Sequence, residues 1–496
     1  MGQHEGFGLV NYAVLAVYLA VMAAVGIAVA GRQKTTRDFF LAGRNMPWWA
    51  VAVSVFATIT SAITYIGVPG LVYSENISTY AGILMMPVAA PFIIYLFLPF
   101  YQRLDVTTSY EYILRRFGAR ARYCVSALFL CARLGWLGTV VYAPAFALSA
   151  VTNIPLWFAI LCMGLLATFY TALGGLAAVI WTDVCQFAVL VGGALAVAVA
   201  LAWQVPGGVR EIISLGVLHG RLNLGDWHFS LTHMTLSAAA ISYFFQFMHD
   251  YGVDQMTVQR LMATRNLAGM VRATVVNSLF SVFVIGVLSF IGLGLFAYHH
   301  TWPGQLPDGV HGDQVFPYYV VQTLPQGLSG LVIAGVFAAA MSSMDSGINC
   351  LSTVLINDFV RPLRRVAASE TRDLLLARVL TLFFGMLATA VAFFASAIGD
   401  VIKASQTFLG LFSGPVLALF LLGILTRRGS FAGWLTGVLV ALPVTMWIQK
   451  ETDIHFVYYF PVSFFLSLSI GFLASLVFPT QPVDPDLTIR RRGNAA

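Results

Sequence analysis

The sequence predicts an all-α polytopic membrane protein of about 13 transmembrane helices. Hydrophobic residues make up 59% of the 496 positions and charged residues only 10%, and the mean hydropathy of +0.83 is far above that of soluble domains. A helix needs roughly 20 apolar residues to cross a bilayer, and apolar runs of that length recur throughout the chain. We therefore expect a protein that lies almost wholly in the lipid bilayer.

The predicted spans follow one another with short connections. They are 9 to 31, 47 to 73, 79 to 101, 122 to 152, 154 to 174, 178 to 204, 233 to 253, 271 to 298, 325 to 355, 374 to 398, 401 to 425, 430 to 449 and 455 to 478. All five cysteines fall inside these spans, where they act as small hydrophobic residues rather than as disulfide partners.

The net charge of +6 reflects membrane topology rather than a nucleic-acid site. With the N-terminus outside, 22 of the 27 Lys and Arg residues, Arg260 among them, fall in predicted cytoplasmic loops, and only Arg210, Arg221 and Lys450 fall in outer loops. By the positive-inside rule this asymmetry predicts a multi-pass protein of the cell membrane, with its N-terminus outside and its C-terminus cytoplasmic. No nucleic-acid partner is expected, and no obligate protein partner is evident.

The second span is interrupted by polar and helix-loosening residues. Its central stretch, SVFATITSAITYIGVPG at 54–70, contains Thr58, Thr60, Ser61, Thr64, Gly67, Pro69 and Gly70. An unwound helix in a membrane exposes backbone carbonyls beside hydroxyl oxygens, which are the ligands that hard cations prefer. We therefore predict a broken first core helix that forms an ion and solute site.

The ninth span carries a small, hydroxylated face. In FAAAMSSMDSGIN, Ala339, Ser342, Ser343 and Ser346 recur at helical i, i+3 and i+4 steps. Small residues also allow helices to pack closely with no ligand between them. The second oxygen-rich stretch, in the broken span, favours an ion site over packing alone.

Four further polar side chains lie within or near predicted spans. Asp183 and Asp345 are buried carboxylates, which must face a cavity, a partner or an ion. The simpler readings are an interfacial position for Asp183 and an ion pair with an arginine for Asp345. Arg133 either neutralises one of these acids or receives a substrate carboxylate through its two-pronged guanidinium. Gln406 is either interfacial or part of a solute cavity.

The order of the spans allows an inverted repeat. Spans two to six start from the inside and spans seven to eleven start from the outside, an arrangement typical of secondary transporters. The predicted organisation is an N-terminal extra helix with a basic inner loop at 1–46, a first repeat at 47–205, a second repeat with outer loops at 206–425, and C-terminal extra helices with a basic tail at 426–496.

Several motifs occur in the order found in a known family. They are DFFLAGRNMPWW, SVFATITSAITY, TSYEYILRRFG, VVYAPAFALSAVT, FYTALGGLAAVIWTDVCQ, DQMTVQR and AGVFAAAMSSMDSGIN, which lie between residues 38 and 349, within a resemblance that runs from about residue 10 to 430. The chain resembles the sodium:solute symporter family. This resemblance implies a core of five plus five inverted helices that works by sodium-coupled alternating access, with the sodium ion as its cofactor.

The resemblance also implies two ion sites. The family's main sodium site falls on the carbonyls of Ala57, Thr60 and Ala339 and the hydroxyls of Ser342 and Ser343.

A possible second sodium site matches Asp183 and Ser346, together with position 345. This chain has Asp345 where the resemblance implies a serine, and two nearby carboxylates either hold a sodium ion more firmly or share a proton.

The solute site is expected at Ser61 and Thr64 in the broken helix, with Gln406 near it. Trp136 occupies the position at which the resemblance to sialic acid transporters of the family implies an arginine. Arg133, one helical turn away, can substitute for that arginine. The VVYAPAFALSAVT stretch is similar to the family branch that carries monocarboxylates, vitamins and inorganic anions.

The predicted function is sodium-coupled import of a small organic anion, such as a monocarboxylate or a sialic-acid-like solute. The alternatives are a sodium/sugar or other neutral-solute symporter, or a proton-coupled symporter that uses Asp183 and Asp345. A channel is disfavoured because the polar residues lie at helix breaks rather than in rings along a pore. An enzyme is disfavoured because the nine histidines lie mostly in outer loops, away from the buried acids.

Overall fold

The computed structural model describes residues 7–30, 33–152, 154–307, 309–364, 369–394, 401–478 and 482–489, without the side chains of 150, 151 and 401–410. Within these residues there is no β-strand, and one isolated bridge joins Met46 to Thr264. The predicted all-α class is confirmed.

The described residues form 21 α-helical segments. They are α1 (Leu9–Ala30), α2 (Thr36–Leu41), α3 (Trp48–Ile59), α4 (Ala62–Ser74), α5 (Ser78–Ile83), α6 (Met85–Leu96), α7 (Leu98–Leu104), α8 (Tyr110–Phe117), α9 (Ala119–Val151), α10 (Leu156–Gln204), α11 (Gly208–Leu218), α12 (Leu236–Gly252), α13 (Gln255–Met262), α14 (Leu267–Thr301), α15 (Val315–Thr323), α16 (Leu328–Val354), α17 (Arg361–Leu363), α18 (Glu370–Phe394), α19 (Val401–Leu425), α20 (Phe431–Glu451) and α21 (Tyr459–Val477). A π-helical segment, Leu355–Val360, joins α16 to α17.

The predicted break in the second span is confirmed. Helix α3 ends at Ile59 and α4 starts at Ala62, and their axes differ by 63°. Thr60 and Ser61 between them are non-helical, with ψ angles of 85° and 167°.

Two predicted spans, 154 to 174 and 178 to 204, form one continuous segment, the 49-residue α10. The two halves meet at Gly175, whose φ of 57° and ψ of −154° interrupt the helix. An α-helix of this length would measure about 73 Å at 1.5 Å per residue, far more than the roughly 30 Å hydrocarbon thickness. The interruption at Gly175 is therefore the point at which the segment can change direction.

Helix α16 is the central helix of the fold. In the most apolar 18-residue stretch of Leu328–Leu363, which contains α16, 94% of the residues are buried, whereas the corresponding value for α1 is 22%. Helices α1, α9, α10 and α18 pack around α16. Small residues permit these approaches: a Cβ added to Gly330 would lie 2.8 Å from the Cα of Asn11. The residues of the candidate site therefore lie on the least lipid-exposed helix.

The described residues contain nine helices long and apolar enough to cross a membrane, or ten when the α3–α4 pair is counted. Three features separate this number from the thirteen predicted spans. Helix α10 is counted as one span although it covers two predicted ones, and α12 has only 17 residues. The side chains of α19 are described only over Leu411–Leu425, which is too short to cross a membrane by itself. The multi-pass membrane class is confirmed at this coarser level.

A substitution at Gly175 tests the kink. A Cβ there would lie 2.5 Å from the carbonyl oxygen of Phe39, and the residue has a left-handed φ. We expect Gly175→Ala to lower the free energy of unfolding by about 1–3 kcal/mol, measured by thermal unfolding in detergent. Gly192→Ala in the same helix is the control, because its Cβ would meet nothing within 4 Å. Equal stability of the two variants would contradict the role of the kink.

Candidate functional site

The helix break leaves backbone carbonyls without helical partners. The Thr60 N–H still bonds the Phe56 carbonyl at 2.9 Å, but the Ser61 N–H turns to the Ile59 carbonyl at 3.0 Å. The carbonyl of Ala57, which the Ser61 N–H would meet in a continuous helix, is therefore released. Such groups need other partners because lipid offers none.

Hydroxyl groups of α16 meet these carbonyls. Ser342 Oγ donates to the Ala57 carbonyl at 2.7 Å and lies 3.2 Å from the Ala339 carbonyl oxygen. Ser343 Oγ donates to the Thr58 carbonyl at 3.0 Å. All of these residues are buried, so four of the five residues predicted for the main sodium site come together in one cage of neutral oxygen atoms.

Thr60, the fifth predicted residue, forms the break itself and is 6% exposed. Thr58, which was predicted only as part of the polar stretch, also contributes, because its Oγ1 lies 3.0 Å from Ser346 Oγ. The break and α16 are thus joined by three side-chain contacts.

A second polar cluster surrounds the guanidinium of Arg260. Its Nε donates to Ser54 Oγ at 2.9 Å, and that hydroxyl donates to Asp183 Oδ2 at 2.5 Å. The same Nε lies 3.8 Å from Asp183 Oδ2. Its Nη2 donates to Ser346 Oγ. Each of these side chains is fully buried.

Asp345 lies on the other side of this cluster. Its Oδ2 accepts a hydrogen bond from the Tyr170 hydroxyl at 2.6 Å, and its Oδ1 lies 3.1 Å from Ser346 Oγ. The predicted trio Asp183, Asp345 and Ser346 is therefore gathered in one region. Asp183 Oδ1 is buried and has no hydrogen-bond partner among the described residues.

The assignment of Arg260 to a basic loop is wrong. Arg260 lies in α13, has no exposed surface, and supplies the positive charge beside the two buried acids. The signal in the sequence was the excess of buried carboxylates over buried cations, because Asp183 and Asp345 cannot both be matched by Arg133. Arg260, in the motif DQMTVQR, was a second arginine that could be matched to these acids.

Arg133 pairs with neither of the acids that the sequence suggested. Its guanidinium forms a short ion pair with Asp254, the N-cap residue of α13, which also accepts from the Met256 N–H at 2.8 Å. Its Cζ lies 4.7 Å from the ring centre of Trp136. Arg133 and Trp136 are thus neighbours, as the helical spacing predicted, and the charge of Arg133 is balanced within the protein.

Two of the predicted solute residues lie at the start of α4. Ser61 is its N-cap residue and makes no capping hydrogen bond with its side chain. Thr64 lies in the first turn of the helix and is partly buried. Gln406 lies outside the residues whose side chains the structure describes.

The buried charge cluster can be tested by removing its cation. Arg260→Met leaves two buried carboxylates without compensation, so we expect the free energy of unfolding to fall by about 3–5 kcal/mol, measured by thermal unfolding in detergent. The double variant Arg260→Met/Asp183→Asn should recover part of this loss. Arg265→Met, at an exposed position, is the control. Wild-type stability of Arg260→Met would contradict the assigned role.

Comparisons with known proteins identify the family of this chain. The sequence profile of the sodium:solute symporter family matches residues 39–441. The sodium/sialic acid symporter NanT of Aliivibrio fischeri is 32% identical over 483 residues, which cover 96% of this chain and 94% of that protein. The sodium-coupled monocarboxylate transporter 1 of Homo sapiens is 32% identical over 458 residues, which cover 90% of this chain and 74% of that protein.

A solved structure is also similar over nearly the whole chain. It is the substrate-bound outward-open state of a Na⁺-coupled sialic acid symporter, which has a TM-score of 0.92 at 29% identity. The match covers 96% of this chain and 100% of that chain. On the combined evidence of the family profile and its relatives, this chain belongs to the sodium:solute symporter family.

Proposed function

We propose that this protein imports a small organic anion across the cell membrane together with sodium, by alternating access. The observation that carries the proposal is the contact of Ser342 and Ser343 with the carbonyls of the helix break. Family membership supports sodium-coupled symport, and the named relatives transport sialic acid or monocarboxylates, which are small organic acids.

The main sodium site comprises the carbonyl oxygens of Ala57, Thr60 and Ala339 and the hydroxyls of Ser342 and Ser343. Unwound carbonyls and the C-terminal ends of half-helices are recurrent sodium ligands in broken-helix transporters. The cage carries no formal charge, so a bound sodium ion would add a full positive charge at the end of α3. Because this charge lies beside the break, it would favour a nearby anion.

The solute carboxylate binds at the start of α4, beside Ser61 and Thr64. The first N–H groups of a helix have no intrahelical partners, and they form the positive end of its dipole. The Ser61 side chain does not cap them, which leaves them available to an anion. Gln406, Arg133 and Trp136 complete the proposed solute-binding set.

A second cation site involves Asp183, Asp345 and Ser346. With both carboxylates ionised, the single charge of Arg260 leaves the cluster with a net charge of about −1, which one sodium ion or one proton would neutralise. Asp183 Oδ1, which has no hydrogen-bond partner among the described residues, is available to such a cation. Proton coupling through Asp183 and Asp345 is therefore the second candidate function.

The number of coupled cations decides the voltage dependence. One sodium ion carried with a singly charged anion moves no net charge. A second cation makes each cycle carry one positive charge, worth about 2.3 kcal/mol per 100 mV, or roughly fiftyfold in accumulation. The membrane potential therefore drives accumulation of such an anion only when the second site also carries a cation.

The finer architecture is also part of the proposal. It comprises thirteen spans, with the two halves of α10 counted separately and α12 and α19 included, an outside N-terminus and a cytoplasmic C-terminus. The repeats occupy 47–205 and 206–425, flanked by an extra helix with a basic loop at 1–46 and the C-terminal helices at 426–496. The asymmetric distribution of Lys and Arg supports this orientation.

The sodium site is tested by Ser343→Ala. Removing one oxygen ligand should raise the sodium concentration for half-maximal uptake by about tenfold, or about 1.4 kcal/mol, measured with labelled solute in proteoliposomes under an imposed sodium gradient. Ser352→Ala, at a buried serine of the same helix, should leave it unchanged. Uptake driven by a pH gradient alone, and indifferent to Ser343→Ala, would reject the sodium assignment in favour of proton coupling.

The solute class is tested by Thr64→Val, which keeps the shape of the side chain and removes its hydroxyl. In uptake assays with pyruvate, sialic acid, glucose and a neutral amino acid, we expect transport of an organic anion only. For that anion, KM should rise about tenfold in Thr64→Val with little change in the sodium requirement. Thr445→Val, in α20 and bonded within its own helix, is the control. Transport of glucose but of no anion would contradict the proposed class.

A further inference from the structure

A small cavity with an arginine-rich lining lies where three segments of the chain meet outside the candidate sodium and solute site. These segments are α2 with the turn that follows it, the loop after α7, and α17. The cavity has a volume of about 110 Å³, which is room for a phosphate group together with water. Its polar lining consists of Thr36, Arg37, Arg44, Asp105, Thr107 and Arg361.

The lining carries more positive than negative charge. The described lining contains three guanidinium groups and one carboxylate, that of Asp105, which lies 2.6 Å from Arg44 Nη1 but 3.6 Å from Arg37 Nη2. Asp105 and Arg37 are 62% and 59% exposed, so their long contact is a weak surface pair. The Arg37 guanidinium is therefore available to an anion in the cavity.

Three further acids of this region are bonded to residues of the lining. Glu370 accepts hydrogen bonds from the N–H and the hydroxyl of Thr36 at 3.0 and 3.1 Å. Asp373 pairs with both Arg361, at 3.2 Å, and Arg364. Glu111 accepts from the Thr107 N–H at 2.9 Å. None of these three carboxylates lines the cavity, but Asp373 offsets the charge of Arg361, so the excess positive charge of the described lining lies on Arg37 and Arg44, which share the carboxylate of Asp105.

Arg44 is the most buried cation of the cavity. Its side chain is only 12% exposed. Nη2 donates to the Val106 carbonyl at 2.8 Å, whereas the buried Nε has no partner among the described residues. Burial lowers the pKa of this guanidinium below its ordinary value, and Asp105 acts in the opposite direction. An anion in the cavity would offset the burial of this charge.

The backbone fixes these groups in place. Arg44 and Asp105 both adopt left-handed backbone conformations, with φ of 56° and 49°, which residues other than glycine rarely adopt. The Thr36 hydroxyl also accepts from Arg361 Nη2 at 2.7 Å, which joins α2 to α17. The fold thus brings the backbone of Arg44, Asp105 and Arg361 to this cavity.

We propose that this cavity binds a phosphate group, supplied in the membrane by the headgroup of an anionic phospholipid. The planar, two-pronged guanidinium matches phosphate oxygens better than an ammonium does. The lining residues belong to three predicted cytoplasmic loops, which together hold 14 of the 27 Lys and Arg residues, and polybasic loops attract anionic headgroups. The free phosphate ion shares the same chemistry and is the alternative source.

Binding would link helices that form the candidate site. The segment with Arg37 and Arg44 leads into α3, the broken helix, and Arg361 follows α16, which supplies Ser342 and Ser343. A phosphate shared by these arginines would therefore hold the two helices together at this end. We expect it to slow hydrogen–deuterium exchange at 36–44 and 104–109.

The test uses delipidated wild-type protein in detergent, with neither sodium nor solute, so that it does not depend on the transport function. Phosphatidylglycerol should raise the unfolding temperature saturably by about 1–2 °C at about tenfold excess over its Kd, whereas phosphatidylcholine should not. Arg37→Gln, at an exposed position, should weaken this effect at least tenfold in lipid concentration. Arg120→Gln, an exposed arginine outside the cavity, should not change it.

Inorganic phosphate at matched ionic strength distinguishes the two sources. A rise with phosphatidylglycerol alone identifies a lipid site, and an equal rise with free phosphate identifies a site for the soluble ion. Arg44→Gln should also weaken the effect of phosphatidylglycerol. If this variant fails to fold, native mass spectrometry of wild type and Arg37→Gln still counts bound lipids. The proposal is overturned if neither phosphate source affects the wild type, or if Arg37→Gln binds phosphatidylglycerol as tightly as Arg120→Gln.

Discussion

Lipid cannot hydrogen-bond a backbone carbonyl, and the broken helix between α3 and α4 can exist only because protein oxygen and hydroxyl groups surround it. Helix α16 supplies these partners through Ser342 and Ser343, at 2.7 and 3.0 Å from the freed carbonyls. Such contacts require close approach, which explains the run of buried alanines, Ala338–Ala340, immediately before them. The central position of α16 follows from this requirement.

The buried charges obey the same constraint. Arg260 reaches both acids through hydroxyl groups: Ser54 lies between it and Asp183, and Ser346 lies between it and Asp345. Because Ser346 also approaches the hydroxyl of Thr58 at 3.0 Å, the charged cluster is continuous with the helix break. A change in the charge of the cluster would therefore be transmitted to the oxygen atoms of the proposed main sodium site.

The sequence was most informative where a residue type conflicts with its surroundings. The break at Thr60 and Ser61, the hydroxylated face of α16 and the burial of Asp183 and Asp345 were all predicted, because polar groups in an apolar run are visible locally. The partners were not, because pairs such as Arg133–Asp254 join residues 121 positions apart. Arg260 was hidden for a related reason, since it follows a span and is indistinguishable from a loop arginine by hydropathy. The join of two spans at Gly175 depends on one dihedral angle, which hydropathy does not report.

The break also explains why a cation and an anion would be carried together. A single interruption creates two helix ends of opposite polarity: the last carbonyls of α3 attract a cation, and the first N–H groups of α4 attract an anion. Thr60 and Ser61 are adjacent, so the two proposed sites are separated by about one residue. A sodium ion in the neutral cage would lower the electrostatic cost of placing a carboxylate at α4, and the carboxylate would do the same for sodium. Reciprocal binding of this kind is the thermodynamic basis of coupling, and in this protein it would follow from the geometry of one broken helix.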